Sequence, residues 1–145
     1  MSEENIAASR RVLDEAFSQG NLDVVDEVCA DGYVDHDPIM GDLGADAVKE
    51  TIRSYREAFP DLTLTVEEIF EAGDKVVTRW TGTGTFENEF MGQAPTGEKG
   101  DPIGGIGIDR YEGGKIVESW GQWDTLAFMR NIGAIPDTAS ATAGS

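Results

Sequence analysis

The sequence predicts an α+β fold in which three N-terminal helices pack on one face of a strongly curved, mostly antiparallel sheet, followed by a short C-terminal helix. Helical apolar spacing fills the chain before Pro60, whereas strand patterns fill most of what comes after it. Helices followed by a run of strands are typical of α+β domains. Gly82 and Gly84 lie inside a strand pattern, which indicates bulges or a bend and so favours a curved sheet.

Three helices are predicted before Pro60. The first has an apolar inner face and ends at Gly20, and Asn21 can cap a second, short helix. An extended segment, residues 33–38, ends at a proline, which disfavours helix at the residue before it. The third helix runs from about residue 46 to 58. Its apolar residues follow a four-three-four spacing that marks one buried stripe: Val48, Ile52, Tyr55 and Phe59.

Strands dominate the chain after the helices. Residues 62–67 alternate between apolar and polar side chains, which is the period of a strand with one buried face. Residues 75–86 form a long segment rich in β-branched and aromatic residues. Residues 103–112 then pair with 115–123 across a Gly-Gly turn, because a tight hairpin needs positive φ values that glycine adopts without strain.

A short helix closes the predicted domain. Apolar residues recur at three-residue spacing from Leu126, and Gly133 stands where a left-handed cap ends a helix. We therefore expect one domain over residues 1–133, which is within the usual size of a domain. Residues 134–145 are rich in Ala, Ser, Thr and Gly, and we expect a disordered tail there.

The chain is strongly acidic. Its 145 residues include 28 Asp and Glu against 11 Lys and Arg, which gives a net charge of −17. Such a surface repels phosphate backbones and anionic lipid headgroups, so we expect no nucleic acid and no membrane as partner. The acidity is spread along the whole chain. Very salty solvent would screen the self-repulsion that this causes, so the pattern predicts a halophilic source.

Few residues are available for metal or disulfide chemistry. The chain holds one histidine, His36, and one cysteine, Cys29, which we expect to be a small buried residue of the second helix. One imidazole and one thiol do not complete a typical zinc site, so no metal is expected. The acidic N-terminal segment lacks the apolar core of a secretory signal, which predicts a cytoplasmic protein.

Six short motifs carry a resemblance to a known family. They are YVDHDP (33–38), AFPDL (58–62), TGTGT (81–85), FMG with PTG (90–97), GKIVE (114–118), and WD through IG (123–133). In this order, over about residues 5–133, they resemble the SnoaL-like polyketide cyclase (ester cyclase) family of the nuclear-transport-factor-2-like superfamily. The resemblance implies a cone-shaped α+β barrel with a pocket between helices and sheet, often dimeric through the open side of the sheet.

The resemblance also implies a chemistry. Family members with known activity close a ring by intramolecular aldol condensation, using an aspartate as general acid/base and no metal or cofactor. The matching aspartate in this chain is Asp124. Many relatives carry a histidine shortly after the threonine-glycine run, whereas this chain has Phe86 and Asn88 in that stretch, so a second imidazole is missing.

Asp124 is also a catalytic candidate because of its position in the sequence. With a strand period of two, Trp120, Gln122 and Asp124 share one face. If that face lines the pocket, the carboxyl group lies beside aromatic carbon, and poor solvation of its charged form raises its pKa. The alternative is a structural role, since aspartate is a favoured N-cap and Asp124 directly precedes a helix.

His36 is the second catalytic candidate. Histidine is the usual proton shuttle near neutral pH, and Val34 and His36 would point inward together if this segment lines the pocket mouth. The alternative is a charged, partly exposed imidazolium, which the flanking Asp35 and Asp37 would favour.

Six further residues are expected to bind substrate. Aromatic and apolar side chains would form a pocket wall, although such residues are also typical of an ordinary core: Trp80, Phe86, Met91 and Trp120. Tyr55 would orient a substrate oxygen, because a buried hydroxyl needs a partner. Gln122 would hydrogen-bond the developing enolate together with His36.

These features together predict a small, cofactor-free lyase or isomerase, including aldol-type cyclases, that acts on an apolar, carbonyl-bearing ligand as a homodimer. Asp124 would abstract a proton α to the carbonyl and return it. Two alternatives stay open. One is a non-catalytic ligand-binding protein with the same pocket. The other is a hydrolase in which Asp124 activates water on an epoxide and Arg79 pairs with an aspartate inside the barrel, as in epoxide hydrolases of the superfamily.

Overall fold

A computed structural model describes residues 2–135 of the chain. Its helices are α1 (Ser2–Arg11), which runs on directly as a π-helix (Val12–Phe17), α2 (Asp23–Val28), α3 (Ala45–Ala58) and α4 (Thr125–Asn131). Its strands are β1 (Cys29–Asp37), β2 (Gly41–Leu43), β3 (Thr63–Ala72), β4 (Lys75–Thr83), β5 (Ile103–Glu112) and β6 (Lys115–Trp123). No helix in this part of the chain has the length and apolar character needed to cross a membrane. From residue 136 onward, the predicted tail lies outside the described residues.

The six strands form one sheet in the order β2-β1-β6-β5-β4-β3. Neighbouring strands are antiparallel except β1 and β6, which run parallel. Three helices precede most of the sheet and a short one follows it, so the predicted α+β class and layout are confirmed. The sheet is curved but does not close, because β2 and β3 remain as its two edges.

Two apolar clusters hold the helices on the sheet. The first joins α2, α3 and the sheet around Val24, Ile52 and Val76, all at most 1% exposed. The second joins the end of α3, the segment after β4 and α4 around Phe59, Phe86 and other aromatic side chains. Each buried apolar side chain of this size stabilises the fold by about 1.5–3 kcal/mol. A cavity lies between the two clusters.

Cys29 departs from the sequence prediction. α2 ends at Val28, and Cys29 begins β1 instead of belonging to the helix. Burial, together with nearby acidic side chains, raises the pKa of its thiol to about 12. The thiol therefore stays protonated at neutral pH.

A β-bulge in β6 decides which side chains face the helices. Tyr111 pairs with Ile116 but Arg110 pairs with Glu118, so Val117 is an extra residue on β6. A bulge shifts the alternation of side chains by one position. Beyond it, one set of residues faces the helices: Ser119, Gly121 and Trp123. The other set faces outward: Glu118, Trp120 and Gln122.

Candidate active site

A cavity of about 240 Å³ lies between the helices and the concave face of the sheet. Its roof comes from the π-helix and α3, with Leu13, Phe17 and Ile52 among its apolar side chains. The segment between β4 and β5, together with Phe128 of α4, completes the sides. A concave, mostly apolar space with a few polar groups is the usual form of a small-molecule site.

The floor of the cavity is the inner face of the sheet, where three successive rows of paired residues differ in chemistry. The first row carries carboxyl and hydroxyl groups: Asp35, Ser119 and Asp109. The second row is mostly glycine: Gly121, Gly107 and Thr78. The third row is mostly indole: Trp123, Gly105 and Trp80. Successive rows are about 6.6–6.8 Å apart, because each is two residues further along the strands.

The glycines of the second row keep the floor bare. A Cβ atom built on Gly121 would meet no heavy atom within 4 Å, and one on Gly107 would meet only the Trp120 carbonyl oxygen, at 3.7 Å. Neither glycine has a positive φ. The backbone could therefore accept side chains here, and their absence leaves room for a ligand.

Gly105 has a different role in the third row. A Cβ atom there would lie 2.3 Å from Cζ2 of Trp80 and 2.9 Å from Cβ of Trp123. The missing side chain leaves space in which the Trp80 indole lies over Gly105, beside Cβ of Trp123. They form an apolar wall at the end of the floor opposite the carboxyl groups.

Asp35 places an unpaired carboxyl group on the cavity wall. Within residues 2–135 its side chain makes no hydrogen bond and no ion pair. Loss of solvation raises the pKa of Asp35 to about 7, and the nearby Asp37 and Asp109 add to the rise. A carboxyl group that titrates near neutral pH can both accept and return a proton there.

Asp109 is held by a chain of short oxygen–oxygen contacts. Its Oδ1 lies 2.6 Å from Ser119 Oγ, and its Oδ2 lies 2.6 Å from Ser9 Oγ. Ser9 Oγ lies 2.7 Å from Tyr111 Oη, which lies 2.8 Å from the Asn5 carbonyl oxygen. Burial raises the pKa of Asp109 above its usual range, although the two serine contacts act against the rise.

Counting protons along this chain gives the protonation state of Asp109. There are four contacts, but the hydroxyls of Ser9, Ser119 and Tyr111 supply only three protons. If Asp109 is ionised, one contact brings two lone pairs together without a proton. If Asp109 is protonated on Oδ2, it donates to Ser9, Ser9 donates to Tyr111, and Tyr111 donates to the Asn5 carbonyl. All four contacts are then hydrogen bonds, so the geometry favours the neutral acid.

We expect Tyr111→Phe to lower the pKa of Asp109. The change removes one proton and two contacts, and the two remaining contacts are satisfied by Ser9 and Ser119 donating to an ionised Asp109. The measurement is a titration of the Asp109 carboxyl ¹³C resonance, assigned by its loss in Asp109→Asn.

Tyr55→Phe is the matched control for this titration. Tyr55 also lines the cavity, but its hydroxyl is not part of the chain of contacts. The pKa of Asp109 should stay unchanged in this variant. A pKa for Asp109 that is equal in Tyr111→Phe and the unmodified protein would contradict the proton count.

The structure places Asp124 outside the cavity. Its carboxylate accepts a hydrogen bond from the backbone N–H of Ala127 at 3.0 Å, as the N-cap of α4, and the residue is exposed. The expected burial beside Trp120 and Gln122 is not met, because all three lie beyond the bulge at positions that face outward. Asp124 thus lies where the structural alternative, a helix N-cap, places it.

His36 also lies outside the cavity, on the outer face of the sheet. Its Nδ1 is 2.7 Å from Asp42 Oδ1, and its Nε2 is 2.7 Å from Glu118 Oε2. These hydrogen bonds, that to Glu118 first, raise the pKa of His36 above its usual value. The ring stacks on Trp120 with centroids 5.5 Å apart. His36 thus joins β1, β2 and β6, which matches the alternative of a charged, partly exposed imidazolium.

The expected substrate-binding residues divide into two groups. Three line the cavity with their side chains: Tyr55, Trp80 and Phe86. Phe86 is also core, since it is 1% exposed and stacks on Phe59. Three do not: Met91, Trp120 and Gln122. Trp120 borders the cavity, but the residue is 37% exposed and its indole stacks on His36 on the outer face.

The charge of the cavity wall disfavours phosphate-bearing ligands. Residues 2–135 contain no group of three or more side chains that could hold a metal ion. The charged side chains on the described wall are all acidic: Asp35, Asp37, Glu98, Asp101 and Asp109. Such a wall repels phosphate groups.

Sequence reasoning did not select Asp35 or Asp109 as site residues. A signal for Asp109 is present, because Gly105, Gly107 and Asp109 alternate along one strand. The two glycines leave one face of the strand without side chains. A carboxyl group two residues further along the same face would therefore border an open space. Asp35 gives no comparable signal in the sequence. It adjoins His36, and histidine is the more usual proton-transfer residue near neutral pH.

The open sheet, its helical cover and the cavity between them define a small-molecule-binding α+β domain. A family model described as SnoaL-like polyketide cyclase matches residues 7–132. The chain belongs to this family, and the resemblance stated from the sequence is confirmed.

Several solved structures share the fold over nearly the whole chain. A proposed SnoaL-like polyketide cyclase from Jannaschia sp. CCS1 is 25% identical, with a TM-score of 0.82 over 93% of this chain and 95% of that one. IdmH from Streptomyces antibioticus, a proposed polyketide cyclase, is 28% identical, with a TM-score of 0.76 over 89% and 98%. An epoxide hydrolase from M. tuberculosis is 16% identical, with a TM-score of 0.68 over 90% of each chain, and shares the fold alone. No curated protein matches the chain.

Proposed function

We propose that this protein is a cofactor-free lyase or isomerase of the SnoaL-like type that moves a proton α to the carbonyl of a small apolar molecule, as an aldol-type ring closure requires. The observation that carries the proposal is the unpaired Asp35 carboxyl group, with a pKa of about 7, on the wall of a mostly apolar cavity. We assign to Asp35 the general-base role that the sequence suggested for Asp124.

The two cavity carboxyl groups would divide the work. Asp35 titrates near neutral pH and takes the α-proton. Asp109, held neutral by its contacts with Ser119 and Ser9, lies in the same row and places no second negative charge beside the developing enolate oxygen. Two carboxyl groups whose surroundings favour different protonation states are a typical arrangement for acid–base chemistry.

Hydrogen exchange into a simple ketone tests the proposal. The protein is incubated in D₂O at pH 8 with 2-tetralone, an apolar ketone with acidic α-hydrogens, and deuterium uptake is followed by NMR. Uptake above the buffer rate, in proportion to protein concentration, is expected. Binding of the ketone with uptake at the buffer rate would support the non-catalytic ligand-binding alternative instead.

The arginine expected for the hydrolase alternative, Arg79, does not line the described cavity wall. Arg79 lies in an outward row, where its Nε contacts Glu68 Oε1 at 3.3 Å and its side chain is 53% exposed. The described cavity wall contains no arginine that could pair with a carboxylate to activate water.

We further propose that the protein forms a homodimer through the outer face of the sheet. One row of paired residues on this face is mostly apolar: His36, Trp120, Ile108, Val77 and Phe70. Phe70 is 48% exposed, and Ile106 of the next row is 49% exposed. Exposed apolar side chains grouped on one sheet face are typical of a protein–protein contact.

Ile106→Glu should convert the dimer to a monomer. The new carboxylate would face Arg79 of β4, which already pairs with Glu68, and burying this charged group in the contact is costly. Sedimentation velocity across a range of protein concentrations measures the mass. Leu126→Glu, which changes an exposed leucine of α4, is the control and should remain dimeric. A monomeric unmodified protein at every concentration would contradict the proposal.

A further inference from the structure

Acidic side chains have different partners on the two faces of the sheet. On the outer face these side chains have basic partners. Glu118 contacts Arg110 at 3.2 Å and His36 at 2.7 Å, and Glu68 contacts Arg79. A carboxylate on that face therefore has its countercharge within the protein.

The inner face leaves its acids without basic partners. Asp35, Asp37 and Asp109 line the cavity, and none forms an ion pair within residues 2–135. The described wall contains no Lys, Arg or His at all. Because Asp109 is held neutral, the negative charge of the wall comes from Asp37 and, above about pH 7, from Asp35, and no basic side chain on the described wall balances it.

Asp37 is the acid best placed to hold a cation. Its Oδ1 accepts hydrogen bonds from the backbone N–H groups of Ile39 and Met40, both at 2.8 Å, which fixes the carboxylate and leaves Oδ2 for another partner. Tyr55 lines the same cavity, and burial, followed by the charge of Asp37, raises the pKa of its hydroxyl. A cation beside Asp37 would also gain from the face of an aromatic ring.

A second polar group lies unused at the other end of the glycine row. Thr78 is 4% exposed and lines the cavity, and its hydroxyl has no hydrogen-bond partner in the described part of the chain. No buried side-chain N or O atom among the described residues lacks a partner, so the Thr78 oxygen is open to the cavity and free to hydrogen-bond a ligand. A ligand group lying over Gly107 and Gly121 would supply that partner.

We propose that the ligand of this cavity carries a protonated amine, which Asp37 binds beside Tyr55, on an uncharged apolar body that lies over Gly107 and Gly121 with a polar group at Thr78. The same charges reject ligands that carry carboxylate or phosphate. This inference rests on the cavity of the proposed function and adds the charge of its substrate.

Three probes with one ring system test the proposal. Naphthalen-2-ylmethanamine, naphthalen-2-ylmethanol and 2-naphthoate differ only in the polar group, which is cationic, neutral or anionic. Their affinities are measured by calorimetry at pH 8 in 0.5 M NaCl, where salt screens attraction to the acidic surface. We expect the amine to bind about tenfold more tightly than the alcohol, a difference of about 1.4 kcal/mol. The carboxylate should bind at least about tenfold more weakly than the alcohol.

Asp37→Asn identifies the group responsible. Asparagine keeps an oxygen for the two backbone N–H groups and removes the charge, so the amine-to-alcohol ratio of affinities should fall to about one. Glu68→Gln removes the same charge from the outer face and should leave the ratio at about ten. Equal affinity for amine and alcohol, a preference that survives in Asp37→Asn, tight binding of the carboxylate, or no binding of any probe would each overturn the proposal.

The ketone exchange assay separates this inference from the proposed function. 2-Tetralone has no charge, so its exchange does not depend on amine recognition. Exchange without amine preference would overturn only the charge of the ligand. Amine preference without exchange would overturn only the proton-transfer function.

Discussion

Asp35→Asn is expected to lower the rate of deuterium uptake into 2-tetralone by about 10²–10⁴-fold, the usual contribution of a positioned general base. Asparagine fits the same space but cannot accept the α-proton. In the unmodified protein the rate should rise as the pH rises through about 7, because Asp35 must lose its proton to act. That rise should be absent in the variant.

Asp124→Asn is the matched variant at the position that the sequence favoured. Asparagine is also a good N-cap, so α4 should be preserved, and uptake should stay within about twofold of the unmodified rate, since capping a helix requires no proton transfer. Loss of exchange in Asp124→Asn with exchange retained in Asp35→Asn would contradict our assignment and return the catalytic role to Asp124.

A stability measurement distinguishes lost chemistry from lost folding. The folded pKa of Asp35, about 7, lies above the unfolded value. Its contribution to stability is therefore fully present below about pH 4 and is lost as the pH rises through about 7. Asp35→Asn lacks this loss, so at pH 8 it should be about 2–4 kcal/mol more stable than the unmodified protein, relative to their difference at pH 4.

Gly121→Leu is expected to weaken binding of naphthalen-2-ylmethanol by at least about 100-fold while the protein stays folded. The new side chain would occupy the floor on which the ring system lies, and a hundredfold loss corresponds to about 2.7 kcal/mol. The backbone at Gly121 has no positive φ, and its Cβ would meet no atom within 4 Å. The free energy of unfolding should stay the same or rise, because leucine buries apolar surface. Calorimetry and urea denaturation measure the two effects.

Gly105→Ala provides the contrasting control on the same floor. Its Cβ would lie 2.3 Å from Cζ2 of Trp80, so the Trp80 indole must move. We expect a loss of stability of about 1–3 kcal/mol, as for other overpacked sites. Unchanged binding in Gly121→Leu would show that the ligand does not lie over the glycine row.

The fold could be predicted because its signals are local and repeated. The apolar stripe of the third helix, with Val48 and Ile52 buried, specifies which face packs on the sheet. The Gly-Gly turn sets the pairing of β5 with β6. Each of these features depends on residues close together in the chain, so a sequence pattern contains the information.

The site could not be predicted to the same extent, because one residue reverses the faces of β6. Without the bulge at Val117, Ile116 and Trp120 would share a face, and the pocket would contain Trp120 with Gln122. With the bulge, Ser119 faces inward instead. A bulge follows from how two strands pair across the whole sheet, and nothing in the residues 115–123 specifies it. Asp109 depends on the same pairing, because its partners Ser9 and Ser119 are brought together only by the tertiary fold.

The volume of the cavity can change through single substitutions at two positions, Gly107 and Gly121. Every glycine codon becomes an alanine or a valine codon by a single nucleotide change, and a side chain at position 107 or 121 would project into open space without straining the backbone. Lineages that descend from this protein could therefore exchange one substrate for a smaller one in a single mutational step, with the remainder of the scaffold undisturbed.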